Sequence, residues 1–139
     1  MVRVVKDIMT RGIKSVPGDT TLAAAAKIMN ENSIRHLPVV AGANHEIAGI
    51  ISDRDIKKFV SPFAASKVGQ DRDKMTLNVK VEKVMVRDIV TAHPTDRLKD
   101  VVEQILQKKI GCIPVVDDDK RPIGIITNSN LLRELLKFL

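Results

Sequence analysis

Gly49-Ile50-Ile51-Ser52-Asp53-Arg54-Asp55-Ile56 reads as the end of a buried strand that runs straight into a helix. Gly49 lets the backbone approach a neighbour closely. Ile50 and Ile51 are β-branched and suit a strand buried on both faces. The polarity then flips. Ser52 and Asp53 are good helix caps, and Asp55 falls in the first turn, where the macrodipole favours a negative charge. Ser52 and Asp55 are three apart, so a helical first turn can point them the same way. A hydroxyl beside a carboxylate suits the hydroxyls of a sugar, and the adjoining helix N-terminus suits a phosphate. The same stretch also reads as a capping box that lacks its usual Glu or Gln, with Asp55 merely tuning the helix dipole. From these eight residues alone, both readings stand.

Outward from this stretch the chain repeats. Residues 5–40 align with 81–116 without a gap, with identities Val5/Val81, Met9/Met85, Arg11/Arg87, Ile13/Ile89, Leu22/Leu98, Ile34/Ile110, Pro38/Pro114, Val39/Val115 and Val40/Val116. After a one-residue shift, Gly49-Ile50-Ile51-Ser52 meets Gly124-Ile125-Ile126-Thr127. Such internal similarity means two copies of one structural unit. The expected division is a first unit at 1–60, a linker at 61–80 and a second unit at 81–139.

Each copy reads as β-α-β-β-α. Brief strands are expected at Ile13–Val16 and Ile89–Ala92, ended by Pro17-Gly18 and His93-Pro94. Asp19 and Thr95 are candidate N-caps. Leu22, Ala25, Ala26 and Met29, and in the second copy Leu98, Val101, Val102 and Ile105, recur at helical spacing. The small residues Ala23–Ala26 would let something pack closely. Paired apolar strands follow at 37–40 with 47–51 and at 113–116 with 123–126, then helices at 53–60 and 128–138. The linker's polar middle, Gln70-Asp71-Arg72-Asp73-Lys74, reads as a surface loop, and alternating Leu77, Val79 and Val81 as a strand.

The 139 residues are 44% hydrophobic and 29% charged, ordinary for a soluble globular protein. A chain of this size buries roughly 68% of its unfolded surface, enough for a proper core. No apolar run approaches the ~20 residues that span a bilayer, and the N-terminus shows no signal-peptide pattern. A single cysteine, Cys112, excludes an internal disulfide and fits a cytoplasmic protein. It lies between Ile110 and Ile113, as a buried inert thiol would. The net charge of +6 permits polyanion binding, but the basic residues are scattered. With no Trp or Tyr, the chain lacks the stacking platforms of a single-strand binder. Asp117–Asp119 reads as a solvated turn, and His36, His45 and His93 show no metal-ligand spacing. No metal, P-loop, dinucleotide pattern or activated nucleophile is assigned, so the reading is non-enzymatic.

Three features together resemble tandem cystathionine-β-synthase (CBS) domains. They are the lead-in Asp7-Ile8-Met9-Thr10; Ile34-Arg35-His36-Leu37-Pro38-Val39-Val40 with its partner Ile110-Gly111-Cys112-Ile113-Pro114-Val115-Val116; and the Gly-apolar-apolar-Ser/Thr-x-x-Asp segment at 49–55. The resemblance runs from about Val5 to Leu136. It implies an α/β (α+β) fold of two CBS units packed about a pseudo-twofold axis, with two clefts that in many such pairs take AMP, ADP, ATP or S-adenosylmethionine. Carried over, the first cleft would use Ser52, Arg54 and Asp55 with Ile89, Val90, Gly111 and Cys112. Asp55 would accept from the ribose hydroxyls and Arg54 would meet phosphate. The second cleft would use Thr127 and Asn130 with Lys14, Arg35 and His36. There Asn130 replaces the aspartate with a neutral acceptor, so ribose affinity should fall.

The function that follows from the resemblance is a regulatory, energy-sensing adenine-nucleotide module with no required cofactor. With no effector domain visible in the chain, it is expected to act on a partner protein in trans. A homodimer is expected, because Leu131, Leu132, Leu135, Leu136 and Leu139 crowd the last helix. The alternatives are a ligand-free interaction module and, behind it, a nucleic-acid binder with steep salt dependence.

Overall fold

The computed structural model describes residues 3–64 and 77–139, with the side chains of residues 61–64 outside the description. The polar middle of the expected linker lies outside the described residues. Within them the fold is mixed α+β, with four helices and two three-stranded sheets.

The chain divides into two compact units, and these are not the two sequence copies. One unit is Lys14–Asp88; the other joins the N-terminal residues up to Ile13 to Ile89–Leu139. Each copy's lead-in has therefore changed places, the first copy's joining the body of the second and residues 77–88 joining the body of the first. The glycines show what admits the lead-ins. A Cβ on Gly49 would lie 2.6 Å from Met85 Sδ and 2.7 Å from the Val86 carbonyl oxygen; a Cβ on Gly124 would lie 2.8 Å from Met9 Sδ. The strand at each glycine is thus in close contact with a lead-in methionine.

In the Lys14–Asp88 unit, β2 (Val16–Pro17) runs parallel to β3 (His36–Ala41), which pairs antiparallel with β4 (Glu46–Ser52). α1 (Leu22–Asn32) and α2 (Asp53–Ala64) accompany this sheet. Val16, Leu22, Ala25, Met29, Leu37, Val39, Ile51, Ile56, Val81 and Met85 form its core. Burying a side chain such as Leu22 or Leu37 contributes about 1.5–3 kcal/mol. In the other unit, β1 (Thr10–Arg11) lies antiparallel to β6 (Pro122–Thr127), and β6 to β5 (Cys112–Val116). α3 (Leu98–Lys108) and α4 (Asn128–Leu136) complete it. Its core holds Val5, Met9, Ala92, Val101, Ile105, Ile113, Val115 and Ile126.

Several local expectations shift. The strand expected at Ile13–Val16 shrinks to Val16–Pro17, and that at Ile89–Ala92 to one bridge between Ala92 and Val115. The strand expected from Leu77 to Val81 is one bridge, Thr21 with Lys80, before a 3₁₀ turn at Val81–Lys83. The cap of α1 is Thr21, whose Oγ1 accepts from Ala24 N at 3.1 Å, not Asp19. Nor does Thr95 cap α3, which starts after Arg97 without a side-chain cap; Asp96 instead accepts from His93 N at 2.8 Å and closes a turn. α1 and α3 each begin two residues later than expected because a tight turn follows each proline-marked break.

Candidate functional site

In the Lys14–Asp88 unit the strand-to-helix junction lies at the end of β4. His36 stands opposite Ser52 across the β3–β4 ladder, and Asp53 N donates to the Arg35 carbonyl oxygen at 2.9 Å. These bonds fix the first turn of α2 against the start of β3. Ser52 Oγ then accepts from Asp55 N at 3.0 Å, and Asp55 Oδ2 accepts from Ser52 N at 2.9 Å. This is a reciprocal capping box with Asp55 in the place of the usual Glu or Gln, so Asp55 does more for the cap than tune the helix dipole. The cap does not exhaust Asp55. A carboxylate has about four acceptor positions, and among the described residues no other donor meets it. The side chain is half-buried, at a helix N-terminus whose N–H groups favour anions.

Cationic groups surround the junction. Arg54 and Arg35 are exposed, and Lys57 pairs with Asp53 at 3.8 Å, an exposed contact worth little in stability. His36 is half-buried, and burial holds its imidazole below the usual histidine range; Asp53 and Asp55 act in the opposite direction, and Arg35 adds to the lowering. Lys14, expected at the second cleft with Arg35 and His36, is exposed in this same unit.

The second junction, in the other unit, repeats the cap and adds to it. Thr127 N donates to Asn130 Oδ1 at 2.9 Å, and Asn130 N donates to Thr127 Oγ1 at 3.4 Å. The Thr127 hydroxyl also donates to Asn130 Oδ1 at 2.7 Å. Asn130 Nδ2 donates to the Ile8 carbonyl oxygen at 3.2 Å and to Thr10 Oγ1 at 2.9 Å. Both acceptor and both donor positions of the amide are therefore engaged, and the residue is buried. In the chain as it stands, the amide of Asn130, the expected weakened ribose acceptor, fastens α4 to the lead-in. Arg3 reinforces that fastening by pairing with Glu134 at 2.5 Å. Arg3, and after it Lys137, holds the Glu134 carboxyl below its usual range.

The remaining expected residues, Ile89, Val90, Gly111 and Cys112, also belong to this second unit. Val90 packs on its core. The Gly111 carbonyl oxygen accepts from Asn128 N at 3.3 Å. Cys112 is half-buried and pairs in register with Thr127. Ser52, Arg54 and Asp55 are thus joined in one unit with Lys14, Arg35 and His36, and Thr127 and Asn130 in the other with Gly111 and Cys112. The Asp117–Asp119 turn is closed by its own groups: Asp117 Oδ1 accepts from Asp119 N and Arg121 N, and Arg121 reaches both carboxylates.

Two features went unread in the sequence. One is the pair of lead-in positions Thr10 and Val86, whose signal was a polar residue aligned with an apolar one. The other is a groove of about 520 Å³ between α1 and α2, lined by residues that include Ala26, Met29, Arg35, Asp53, Ile56 and Lys57. Ala26 belongs to the run of small residues that had suggested close approach. The groove shares Arg35 and Asp53 with the first junction but not Ser52 or Asp55.

The CBS domain family matches the chain twice, at residues 5–62 and 81–137. A CBS domain-containing protein of Dictyostelium discoideum is 35% identical over 136 residues, covering 97% of this chain and 92% of its own length. The CBS domain pair of protein MJ0100, solved with 5′-methylthioadenosine and S-adenosyl-L-methionine, superposes with a TM-score of 0.83 at 27% identity, covering 100% of both chains. CBSX2, solved with AMP, superposes at 0.78 with 26% identity over 97% of each chain. Other relatives are longer. The chain spans 50% of protein MJ1225 of Methanocaldococcus jannaschii, at 33% identity, and 24% of a homoserine O-acetyltransferase of Methanohalobium evestigatum, at 28%.

Proposed function

Since the chain belongs to the CBS-domain family, we propose that it is a regulatory module that binds an adenosine compound at the Ser52–Asp55 junction and passes the signal to another protein. The observation that carries this reading is the Asp55 carboxylate, half-buried and held in place by Ser52 N, with acceptor capacity that no other described residue uses. A pair of vicinal ribose hydroxyls supplies two donors for it, and hydrogen bonds to a charged acceptor are the stronger kind. The N-terminus of α2 and the exposed Arg54 suit a phosphate. AMP, 5′-methylthioadenosine and S-adenosylmethionine, the compounds bound by the similar structures, all carry such a ribose. Ligand binding would act by favouring whichever protein arrangement holds it best.

The output surface is proposed on α4. Leu131 packs on its own core, but Leu132, Leu135, Leu136, Phe138 and Leu139 are exposed. An apolar cluster of that kind suits a second copy of the chain or an effector protein. Among the described residues, no helix is long and apolar enough to cross a membrane.

A thermal-shift screen against AMP, ADP, ATP, S-adenosylmethionine, 5′-methylthioadenosine and NAD tests the reading. At least one adenosine compound should raise the unfolding temperature with rising concentration, as any ligand specific for the folded state does. No shift with any of them would favour the interaction module that acts through α4 alone.

A further inference from the structure

Positions 10 and 86 are equivalent in the repeat, and each lies in the same place in its own unit. Thr10 pairs antiparallel with Ile125, two residues before the cap Thr127. Val86 bridges antiparallel to Ile50, two residues before the cap Ser52, with N–H···O distances of 3.0 and 2.9 Å. In the first of these settings the residue faces the third helical position directly, since Thr10 Oγ1 accepts from Asn130 Nδ2 at 2.9 Å. The matching strand register and the matching cap imply that Val86 stands toward Asp55 as Thr10 stands toward Asn130. Val86 is 45% exposed and has no hydroxyl to offer.

We infer that this lead-in position selects which junction is a binding site: Val86 leaves the Asp55 carboxylate available to a ligand, whereas Thr10 completes an internal tie with Asn130. The inference rests on the reading of the Ser52–Asp55 junction as the adenosine site and adds Val86 to that site. A threonine at 86 would donate its O–H to Asp55 and compete with the ribose. The side chain of Val86 itself carries no polar group to hydrogen-bond the carboxylate or to hold a water there.

The test compares wild type, Val86→Thr and Asp55→Asn by calorimetric titration with AMP and with 5′-methylthioadenosine, and by urea unfolding without ligand. Val86→Thr is nearly isosteric at a partly exposed position, so the fold should survive it. It should weaken binding about 2- to 12-fold, the effect of one competing hydrogen bond, while the urea midpoint holds or rises. Unchanged affinity in Val86→Thr, with Asp55→Asn weakened, overturns the role of position 86 and leaves Asp55 as the acceptor. A loss of affinity that comes with a lower urea midpoint also overturns it, because the change would then act through folding. If Asp55→Asn leaves affinity unchanged, or wild type binds neither compound, the site itself is wrong and the inference falls with it.

Discussion

The Ser52–Asp55 and Thr127–Asn130 junctions share one backbone solution and differ in what remains after the cap is made. In both, the cap hydroxyl accepts from the N–H three residues on, and the side chain there accepts from the cap N–H. Asp55 is then an acceptor-only group with positions to spare. Asn130 has two donors as well, and Ile8 and Thr10 take both. With a carboxylate at the third helical position the first junction keeps acceptor capacity; with an amide there and a threonine on the lead-in the second is a buried fastening. Under the proposed function a capping box and a ligand site are therefore not rival readings of one motif. The cap orients the carboxylate, and the residue across the strand decides whether it has capacity left.

The comparison is sharpest in stability. Asn130→Leu should lose about 2–4 kcal/mol in urea unfolding, since buried partners left without a hydrogen bond cost about 1–3 kcal/mol each. Asp55→Leu, which breaks one half-buried capping bond, should lose about 0.5–2 kcal/mol. Equal losses would mean that the extra bonds of Asn130 add nothing. Thr10→Val removes a single partner from Asn130 and should lose about 0.5–1.5 kcal/mol. In a double-mutant cycle with Asn130→Asp, the two changes should be non-additive, as contacting residues are; strict additivity would separate the two side chains.

A smaller effect concerns pH, and it belongs to the first junction, where His36 stands opposite Ser52; its repeat counterpart is Cys112. Burial lowers the His36 pKa in the folded chain. Between that lowered value and about 6.5, the unfolded chain binds more protons than the folded one, so stability falls as pH drops through this window and is fully present above it. Urea midpoints measured from pH 7.5 to 5.5 should decline in wild type and decline less in His36→Gln. An identical decline in both would assign the acid sensitivity to another group.

Much of this was legible in the sequence. The repeat, the paired strands and the amphipathic helices follow from apolar spacing, and Gly49 is tight against its neighbours as its position in a buried strand implied. The exchange of lead-ins was not legible, because Gly49 and Gly124 introduce the same apolar pattern and either could receive Met9 or Met85. The cap of α1 was misplaced because Asp19, Thr20 and Thr21 all carry an acceptor oxygen, and only the turn geometry chooses Thr21. The role of Asn130 depends on Thr10, 120 residues away in the chain. Local reading sees in it a weaker copy of Asp55 and cannot see its burial or its two lead-in acceptors.

On the proposed function the two junctions differ in kind, the first taking an adenosine compound and the second holding the fold. The most direct test is a calorimetric titration of wild type and Asp55→Asn with AMP, read for stoichiometry and affinity together. Wild type should bind one AMP tightly per chain. Asp55→Asn, which keeps the shape and removes the charge, should weaken that site by about 10- to 150-fold, the loss of a charge-assisted interaction worth about 1.5–3 kcal/mol. Two equal sites per chain, or an affinity untouched by Asp55→Asn, would contradict the claim.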